Sequence, residues 1–363
     1  MPLALPDFPW DALAHYADRA KSHARGMIDL SVGSPVDETP SIIQDALAAS
    51  TDAHAYPQTV GSPALREAIV DWFARRRGVE LGGANVLPTI GSKEFIAGLP
   101  VFLGLGAQDT IVHPAVAYPT YALGAAIVGA CAVAEDDPAR WPESTRLIWL
   151  NSPGNPDGRV LSIEHLRAAV ARARELDAII VSDECYTELN WGDDKPSPSI
   201  LDPRVTDGLR HNILAVCSLS KQSNLAGYRA GFVAGCSQVL GRVLEVRKHM
   251  GLIVPAPIQA AMVAALGDDA HVDAQREIYR ARRTVLRAAL EASGFHIDNS
   301  EAGLYLWATT GAPAWETVGL LADVGILAVP GTFYGDETHV RLALTATDAA
   351  IEEAAKRLEE TSL

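Results

Sequence analysis

The chain has 363 residues, of which 48% are hydrophobic, and its 30 basic and 45 acidic residues give a formal net charge of −15. This length allows two or three domains, or one large domain with a smaller lobe. The negative charge and the lack of a basic stripe argue against nucleic acid as a partner. No apolar run reaches the ~18 residues that span a bilayer, and the four cysteines lack metal-ligand spacing. We therefore expect a cytoplasmic protein with reduced cysteines, no signal peptide, no metal and no membrane contact.

Helix and strand patterns alternate along the first two thirds of the chain. A short amphipathic helix within residues 5–24 precedes a strand and glycine turn at 29–35, and another short helix follows at 41–50. Ser62 and Pro63 are types preferred at a helix start, and Gly78 is the type preferred after a helix end. Further helices are expected after residue 91, at 121–128 and at 162–176. The predicted strands are 110–112, 147–150, 179–182, 213–217 and 232–234. This alternation predicts a parallel sheet with helices on both faces.

The pattern changes after residue 255, where a long charged helical stretch runs to residue 290 with a break expected at residues 271–273. Short strands follow near residues 303–308, 326–329 and 339–344, and a last helix covers about residues 348–360. We therefore expect a large domain over residues 40–255. A smaller α+β domain is expected from residues 1–39 together with residues 256–363.

One lysine stands between two apolar strands and marks the predicted site. Lys221 lies in the run Ser-Leu-Ser-Lys, and Arg229 follows eight positions later between glycines. An isolated loop lysine is usually a solvated surface residue. Desolvation beside a second cation would lower the pKa of Lys221 and free its amine as a nucleophile. Ser218, Ser220 and Arg229 could together hold a phosphate, and an amine beside a phosphate site is what pyridoxal phosphate requires.

Ser-x-Ser-Lys with the trailing Gly-x-Arg-x-Gly resembles the lysine motif of the class I/II aminotransferases, the fold type I enzymes that use pyridoxal 5′-phosphate. The resemblance extends from Asp29 to about Ala346. It implies an α/β fold in which helices flank a mostly parallel central sheet, with a smaller α+β domain. It also implies transamination between amino acids and keto acids, with Lys221 as the catalytic residue that binds the cofactor covalently. Ser218 and Arg229 are the predicted phosphate ligands.

The resemblance assigns the cofactor ring to residues that follow two predicted strands. In open α/β sheets, ligands bind outside the carboxyl ends of the strands. Asp183 follows the strand at 179–182, and a carboxylate there can keep a pyridinium nitrogen protonated. The resemblance assigns the ring nitrogen to Asp183, and the ring hydroxyl to Tyr186 and Asn155. Asn155 is also a predicted substrate contact, and Asn151 remains its alternative.

Three further segments supply the other predicted cofactor contacts. Free amides at a helix start bind phosphate, and the resemblance places its phosphate-binding turn at Ser92 and Lys93. Tyr118 matches the aromatic residue that stacks on the cofactor ring. Tyr56 matches a tyrosine that reaches the phosphate of the neighbouring subunit, which implies a homodimer with active sites completed across the interface. Without the resemblance, Tyr118 would be an ordinary core residue and Tyr56 an ordinary loop residue.

Substrate binding is assigned to Gly33 and Arg341. Arg341 lies in an alternating strand pattern, and arginine offers a planar fork that matches a carboxylate. The family arginine for the substrate α-carboxylate falls on Arg341, and Gly33 matches a glycine whose backbone closes over the substrate. From the residues alone, a surface ion pair would be the simpler interpretation of Arg341.

A narrower resemblance rests on four stretches, at residues 5–10, 29–37, 56–61 and 87–94. Together they are similar to the succinyldiaminopimelate aminotransferases of actinobacteria. This implies transamination of N-succinyl-LL-2,6-diaminopimelate with glutamate and 2-oxoglutarate, in lysine and diaminopimelate biosynthesis. A general aspartate, alanine or aromatic aminotransferase is the alternative, followed by a carbon–sulfur lyase of the same fold. The charge argues against a DNA-binding regulator, and no early Gly-x-Gly-x-x-Gly indicates a nicotinamide dehydrogenase.

Overall fold

The computed structural model describes Leu5 and residues 9–192 and 197–361. Residues 6–8 of the first stretch in the narrower resemblance lie outside this described part. The α-helices are α1 Ala14–Lys21, α2 Ser41–Ala48, α3 Pro63–Trp72, α4 Gly91–Phe102, α5 Thr120–Val128, α6 Ile163–Glu175, α7 Pro203–Thr206, α8 Ser237–Met250, α9 Ala256–Gly267, α10 Ala270–Ala292, α11 Ala314–Asp323 and α12 Asp348–Glu360. The β-strands are β1 Ile28–Asp29, β2 Val86–Ile90, β3 Thr110–His113, β4 Cys131–Ala134, β5 Thr145–Asn151, β6 Ile179–Asp183, β7 Ile213–Ser218, β8 Ala230–Gly235, β9 His296–Asp298, β10 Tyr305–Thr309, β11 Ile326–Leu327, β12 Val329–Pro330 and β13 His339–Ala343.

Seven strands form the central sheet in the order β2-β8-β7-β6-β5-β3-β4. The neighbouring strands from β7 to β4 are parallel, which confirms the mostly parallel sheet. β8 is antiparallel to both of its neighbours, because a loop and not a helical crossover connects it to β7. The carboxyl ends of β2, β5, β6 and β7 therefore share one edge of the sheet with the start of β8.

Helices cover both faces of this sheet, and alternate strand residues point to opposite faces. Along β5, Leu147 and Trp149 join a core with side chains of α4, α5 and α8. Ile148 and Leu150 join the opposite core with side chains of α3, α6 and α9. Because both faces are buried, the strands are continuous apolar runs, as is typical of parallel sheets.

The predicted starts of two helices at Ser62 and Ser162 are confirmed, since both serine side chains cap the first turn of a helix. Ser62 Oγ accepts a hydrogen bond from the backbone of Leu65 at 3.2 Å, and Ser162 Oγ accepts one from the backbone of His165 at 3.2 Å. Beyond α3 the chain continues as a π-helical turn that ends at Gly78, whose φ is +63°. Such left-handed backbone favours glycine.

A second core surrounds the antiparallel sheet β12-β13-β10-β9. It contains side chains of α10, α11 and α12 together with Leu13, Ile28 and Leu30 from the start of the chain. β1 pairs in parallel with β11. Residues near the two ends of the described chain therefore pack into one core.

We propose a large domain around the central sheet and a smaller one around the second core. The buried residues of α9 pack in a core of the central sheet, whereas Tyr279, Leu286 and Leu290 of α10 pack in the second core. This packing favours a second boundary between Gly267 and Ala270, rather than the boundary at residue 255 that the sequence predicts.

Two predicted boundaries were wrong. The helix break lies at Asp268 and Asp269, before residues 271–273, because Asp268 accepts hydrogen bonds from the backbone of Ala270 at 3.2 Å and of His271 at 3.3 Å. The expected strand at 326–329 is divided, since β11 pairs with β1 and β12 pairs with β13. The sequence did not predict β2, which contains a proline, or the mostly exposed β4.

Candidate active site

A cavity of about 1090 Å³ lies where the carboxyl ends of the central strands meet residues of the smaller sheet. All but one of the predicted site residues line it: Gly33, Ser92, Lys93, Tyr118, Asn155, Asp183, Tyr186, Ser218, Lys221, Arg229 and Arg341. Tyr56 does not line the cavity, and 97% of its surface is exposed. Its role across a subunit interface stays a prediction.

Lys221 lies in the loop between β7 and β8, and its Nζ donates a hydrogen bond to the carbonyl of Gly33. Burial lowers the pKa of the Lys221 ammonium, and the cations Arg341 and Arg229 lower it further, against the opposing effects of Tyr305 and Cys185. This direction agrees with the prediction from the sequence. An amine with a lowered pKa is unprotonated more often at neutral pH and is a better nucleophile.

A candidate anion site lies at the start of α4, where Ser92 and Lys93 line the cavity. Gly91 begins this helix with a φ of +70°, and a Cβ at this position would overlap the guanidinium of Arg229. Ser218 Oγ donates a hydrogen bond to Ser220 Oγ at 2.9 Å, and both serines line the cavity with Ser92. Helix-start amides, hydroxyls and a guanidinium together suit a phosphate.

Asp183 ends β6 as a buried carboxylate. Tyr121 Oη donates to its Oδ2 at 2.9 Å, and the backbone of Cys185 donates to its Oδ1 at 3.2 Å. Burial raises the pKa of Asp183, although hydrogen bonds from Cys185 and Tyr121 act in the opposite direction. Within the described ranges, no cation forms an ion pair with this carboxylate. A cationic ring nitrogen in the cavity would therefore satisfy it.

Tyr121 is held by two aromatic neighbours. Its ring stacks on Trp149, with centroids 5.3 Å apart, and meets Tyr118 edge-on at 5.9 Å. Burial and the nearby Asp183 raise the pKa of Tyr121 well above its usual value. The phenol therefore stays protonated and remains a hydrogen-bond donor to Asp183.

Arg341 lies buried in β13 and forms hydrogen bonds with two separate segments of the chain. Its Nη1 donates to Asn155 Oδ1 at 3.1 Å, and its Nη2 donates to the carbonyl of Ser31 at 2.7 Å. Its Nε is buried and has no hydrogen-bond partner among the residues that the structure describes. Asn151 instead organises the loop, since its amide donates to the carbonyls of Pro153 and Asp183, each at 3.0 Å.

Tyr305 lies between Arg341 and Gly33, the two predicted substrate-binding residues. Its ring lies under Arg341, whose Cζ is 3.9 Å from the ring centroid, and its hydroxyl is 3.4 Å from that of Tyr186. A Cβ on Gly33 would overlap this hydroxyl, so the position requires glycine. Burial alone would raise the pKa of Tyr305, but Arg341 and Lys221 outweigh it, and the pKa is lowered.

Three residues of the site were not predicted from the sequence: Tyr121, Cys185 and Tyr305. Tyr121 lies three residues after Tyr118, just inside the start of α5. This spacing could have indicated that the two tyrosine rings lie next to each other. Cys185 lies between Asp183 and Tyr186 and lines the cavity. Nothing near Tyr305 in the sequence indicates that it contacts Gly33.

The fold is that of a fold type I pyridoxal phosphate enzyme, and Lys221, Asp183 and Ser218 lie at one edge of its central sheet, where the sequence predicts the cofactor. The chain belongs to the family "Aminotransferase class I and II", whose model matches residues 25–358. It is an aminotransferase, and the cofactor of this family is pyridoxal phosphate.

Curated relatives span nearly the whole chain. The chain is 53% identical over 357 residues to the 4-dedimethylamino-4-oxo-anhydrotetracycline transaminase OxyQ of Streptomyces rimosus, covering 98% of this chain and 99% of that one. It is 52% identical over 359 residues to the "probable aminotransferase Rv1178" of Mycobacterium tuberculosis, covering 98% and 85%. An LL-diaminopimelate aminotransferase of Aquifex aeolicus is 32% identical, with 93% and 92% covered.

Solved structures show the same fold. The N-succinyldiaminopimelate aminotransferase of Mycobacterium tuberculosis superposes with a TM-score of 0.86 at 27% identity, covering 96% of each chain. The aminotransferase AspB of Helicobacter pylori superposes with a TM-score of 0.88 at 29% identity, covering 98% of each chain.

The cavity residues fit pyridoxal phosphate. The anion site at α4 suits its phosphate, Asp183 suits its ring nitrogen, and Lys221 suits its aldehyde. Within the described part of the chain, no helix is long and apolar enough to cross a membrane. The same residues contain no cluster of three or more histidine, cysteine or acidic side chains that could hold a metal.

Proposed function

We propose that this chain moves an amino group between an α-amino acid and an α-keto acid by means of three groups in the cavity. The observation that carries the proposal is that Asp183, Lys221 and Arg341 line one cavity. Among the residues that the structure describes, no cation pairs with Asp183, and burial lowers the pKa of Lys221. These groups suit a ring nitrogen, an aldehyde and a carboxylate.

Each residue has a distinct role in this proposal. Bound pyridoxal phosphate supplies an electron sink for the electrons left at the substrate α-carbon. Lys221 Nζ would take the proton from the substrate α-carbon and deliver it to the aldehyde carbon of the cofactor, which a lysine with a lowered pKa can do near neutral pH. Asp183 accepts hydrogen bonds on both of its oxygens from Tyr121 and Cys185, and a protonated ring nitrogen would supply the opposite charge that this buried carboxylate needs.

Arg341 orients the substrate in this proposal. Its two Nη atoms are fixed by Asn155 and Ser31, so the guanidinium plane is held before the substrate arrives. A substrate α-carboxylate in the cavity would bind this guanidinium through a charge-assisted contact. The same arginine serves the amino acid and the keto acid, since both carry this carboxylate.

For the substrate, we propose N-succinyl-LL-2,6-diaminopimelate and its keto form, with glutamate and 2-oxoglutarate as the second pair. This places the enzyme in lysine and diaminopimelate biosynthesis, in the cytoplasm. Two similarities support the proposal. One is to the solved N-succinyldiaminopimelate aminotransferase of Mycobacterium tuberculosis, and the other is to the LL-diaminopimelate aminotransferase of Aquifex aeolicus.

A ring-bearing ketone is a second candidate for the amino-group acceptor, favoured by the outer wall of the cavity. This wall is apolar and is formed by Leu5, Trp10, Val32, Leu123 and Phe333. The rings of Trp10 and Phe333 are 5.4 Å apart. The cavity of about 1090 Å³ exceeds the roughly 300–1,000 Å³ of a typical small-molecule site. The name of the Streptomyces rimosus relative includes such a ketone.

We also propose a homodimer in which Tyr56 enters the site of the neighbouring subunit. The side chain of Tyr56 is almost fully exposed, and it lies in a stretch, residues 51–56, that is exposed throughout. An isolated aromatic ring is not costly at a surface, so the exposure permits this contact without requiring it.

A panel of substrates tests the proposed function. The donors are N-succinyl-LL-2,6-diaminopimelate, aspartate, alanine and phenylalanine with 2-oxoglutarate, and the product measured is glutamate. We expect the highest kcat/KM for the succinylated donor. A higher value for aspartate, alanine or phenylalanine would favour the general aminotransferase.

Two further arms complete the panel. An aromatic polycyclic ketone, offered with glutamate, tests the second candidate. A further donor is an amino acid with a sulfur substituent on its β-carbon, such as cystathionine; ammonia and pyruvate formed from it without a keto acceptor, with release of the thiol, would indicate a carbon–sulfur lyase. The Lys221→Ala variant is the negative control for every arm, because each reaction uses the lysine.

A further inference from the structure

A buried polar face of α10 contacts both of the chain segments that meet at Lys221. One segment is the lysine loop, defined here as residues 219–225. The other is the covering segment, defined here as residues 31–39, which contains Gly33. His271, Gln275 and Arg282 lie on α10. Gln275 and Arg282 are 6% and 4% exposed, and the side chain of His271 is 8% exposed. This spacing of four and seven residues places them on one helical face.

Gln275 joins the two segments directly. Its Oε1 accepts a hydrogen bond from Asn224 Nδ2 at 2.8 Å, and its Nε2 donates to Asp37 Oδ2 at 2.9 Å. Asn224 lies three residues after Lys221, and Asp37 lies four residues after Gly33. One amide therefore connects the two segments that also meet through the hydrogen bond from Lys221 to Gly33.

The neighbouring contacts hold this connection in place. Arg282 forms two hydrogen bonds to the carboxylate of Asp37, at 2.7 and 2.6 Å. Asn224 has a φ of +55°, and its side chain also donates to the carbonyl of Glu38 at 3.1 Å. Asparagine adopts left-handed backbone more readily than most residues, and its side-chain contacts fix it there.

A second contact from α10 reaches the lysine loop through Ser223. His271 Nε2 is 2.8 Å from Ser223 Oγ, and His271 Nδ1 is 2.9 Å from Asp268 Oδ2. This serine–histidine–aspartate chain is not a nucleophilic site, because Ser223 is fully buried and does not line the cavity. It fixes the loop to the start of α10.

We propose that Gln275 is a positioning residue that fixes the lysine loop against the covering segment. It thereby sets the place of the Lys221 amine relative to the backbone that covers the substrate. Gln275 touches neither the substrate nor the cofactor. The proposal rests on the proposed function, in which Gly33 covers the substrate and Lys221 moves the proton.

Hydrogen–deuterium exchange of the purified enzyme, with its cofactor and without substrate, tests the proposal. Gln275→Met keeps the length of the side chain and removes both hydrogen bonds. We expect amide exchange in the peptides covering residues 31–39 and 219–225 to rise on the order of tenfold, as the loss of two hydrogen bonds implies. Exchange in β5 and β6 is expected to stay unchanged.

Gln259→Met is the matched control. Gln259 is 3% exposed, and its amide also makes two hydrogen bonds, to the backbone of Ser62 at 2.8 Å and of Val254 at 2.9 Å. Neither partner lines the cavity. This variant should change exchange only near residues 62 and 254.

A second, independent test reverses the direction of the hydrogen bond between Gln275 and Asp37. Gln275→Glu places two carboxylates against each other and should open both segments, as Gln275→Met does. Adding Asp37→Asn restores a donor and acceptor pair between these positions but weakens the contact of residue 37 with Arg282. Exchange in the two segments should therefore return part of the way from that of Gln275→Glu to that of the wild type. Kinetics should show the same order, with a raised KM for both substrates in the single variants.

Three results would overturn the proposal. They are unchanged exchange in both segments, faster exchange spread evenly over the whole chain, or equal effects of Gln259→Met on the two segments. The exchange measurement needs no substrate. If the substrate panel fails while the exchange results hold, the proposed function is wrong, and the positioning of the lysine loop stands.

Discussion

Replacing Arg341 tests the carboxylate site, because the structure separates its two possible roles. Arg341 is 3% exposed, and its Nη atoms donate to Asn155 and to the carbonyl of Ser31. Arg341→Ala removes both the internal contacts and the fork offered to the substrate. Arg341→Lys keeps the charge and loses the fork, so the two variants together isolate the planar contact.

The expected loss follows from the chemistry of a desolvated charge pair. Removing one partner of such a pair costs about 2–5 kcal/mol, which is roughly a 30- to several-thousand-fold fall in kcat/KM for Arg341→Ala. For Arg341→Lys we expect roughly a 10- to 100-fold fall, since about one charged hydrogen bond of 1.5–3 kcal/mol is lost. Both falls should appear for the amino donor and for the keto acid.

Steady-state kinetics for both half-reactions, with thermal melting of each variant, provide the assay. Arg229→Ala is the matched comparison, because this arginine faces the anion site at Gly91 and its loss should instead release the cofactor on dialysis. Arg341→Ala should keep its cofactor and its yellow colour. An Arg341→Ala enzyme with unchanged kcat/KM for both substrates would refute the assignment of the carboxylate site.

Three further predictions concern separate parts of the site. Burial lowers the pKa of Lys221 below the ordinary value of 10.5, so the cofactor-free wild type should gain stability relative to Lys221→Met as the pH rises towards that value. The difference in the free energy of unfolding in urea between the two proteins should therefore become smaller, and a difference that stays constant with pH would contradict this. Tyr121→Phe removes one hydrogen bond to Asp183 and should lower kcat roughly 10- to 100-fold with the cofactor retained; an unchanged kcat would exclude the role. Mixing Tyr56→Ala with Lys221→Ala subunits should restore about a quarter of the wild-type activity if Tyr56 acts across a dimer interface, whereas no recovery would place it elsewhere.

The strands that carry the site could be predicted because each combines an apolar run with a polar residue at its end. Asp183 at the end of β6 and Ser218 at the end of β7 are of this kind. Parallel strands bring their carboxyl ends to one edge, so local patterns were sufficient to group these residues. The direction of β8 was not predicted, since it depends on the loop that contains Lys221.

Contacts between distant segments could not be predicted in the same way. Tyr305 meets Gly33 because the smaller sheet packs against the start of the chain, and no local pattern encodes that approach. The hydrogen bond from Tyr121 to Asp183 depends on how α5 packs against β6. The family resemblance supplied the role of Arg341, which the alternating pattern of β13 alone would not have given.

The attachment site of the cofactor tests the central claim most directly. The purified enzyme is reduced with borohydride, digested and mapped by mass spectrometry for a pyridoxyl phosphate adduct. We expect the adduct on Lys221, with loss of the visible absorption band, and no adduct in the Lys221→Ala variant. An adduct on Lys93, at the start of α4, or on Lys248 in α8 would contradict the site described here.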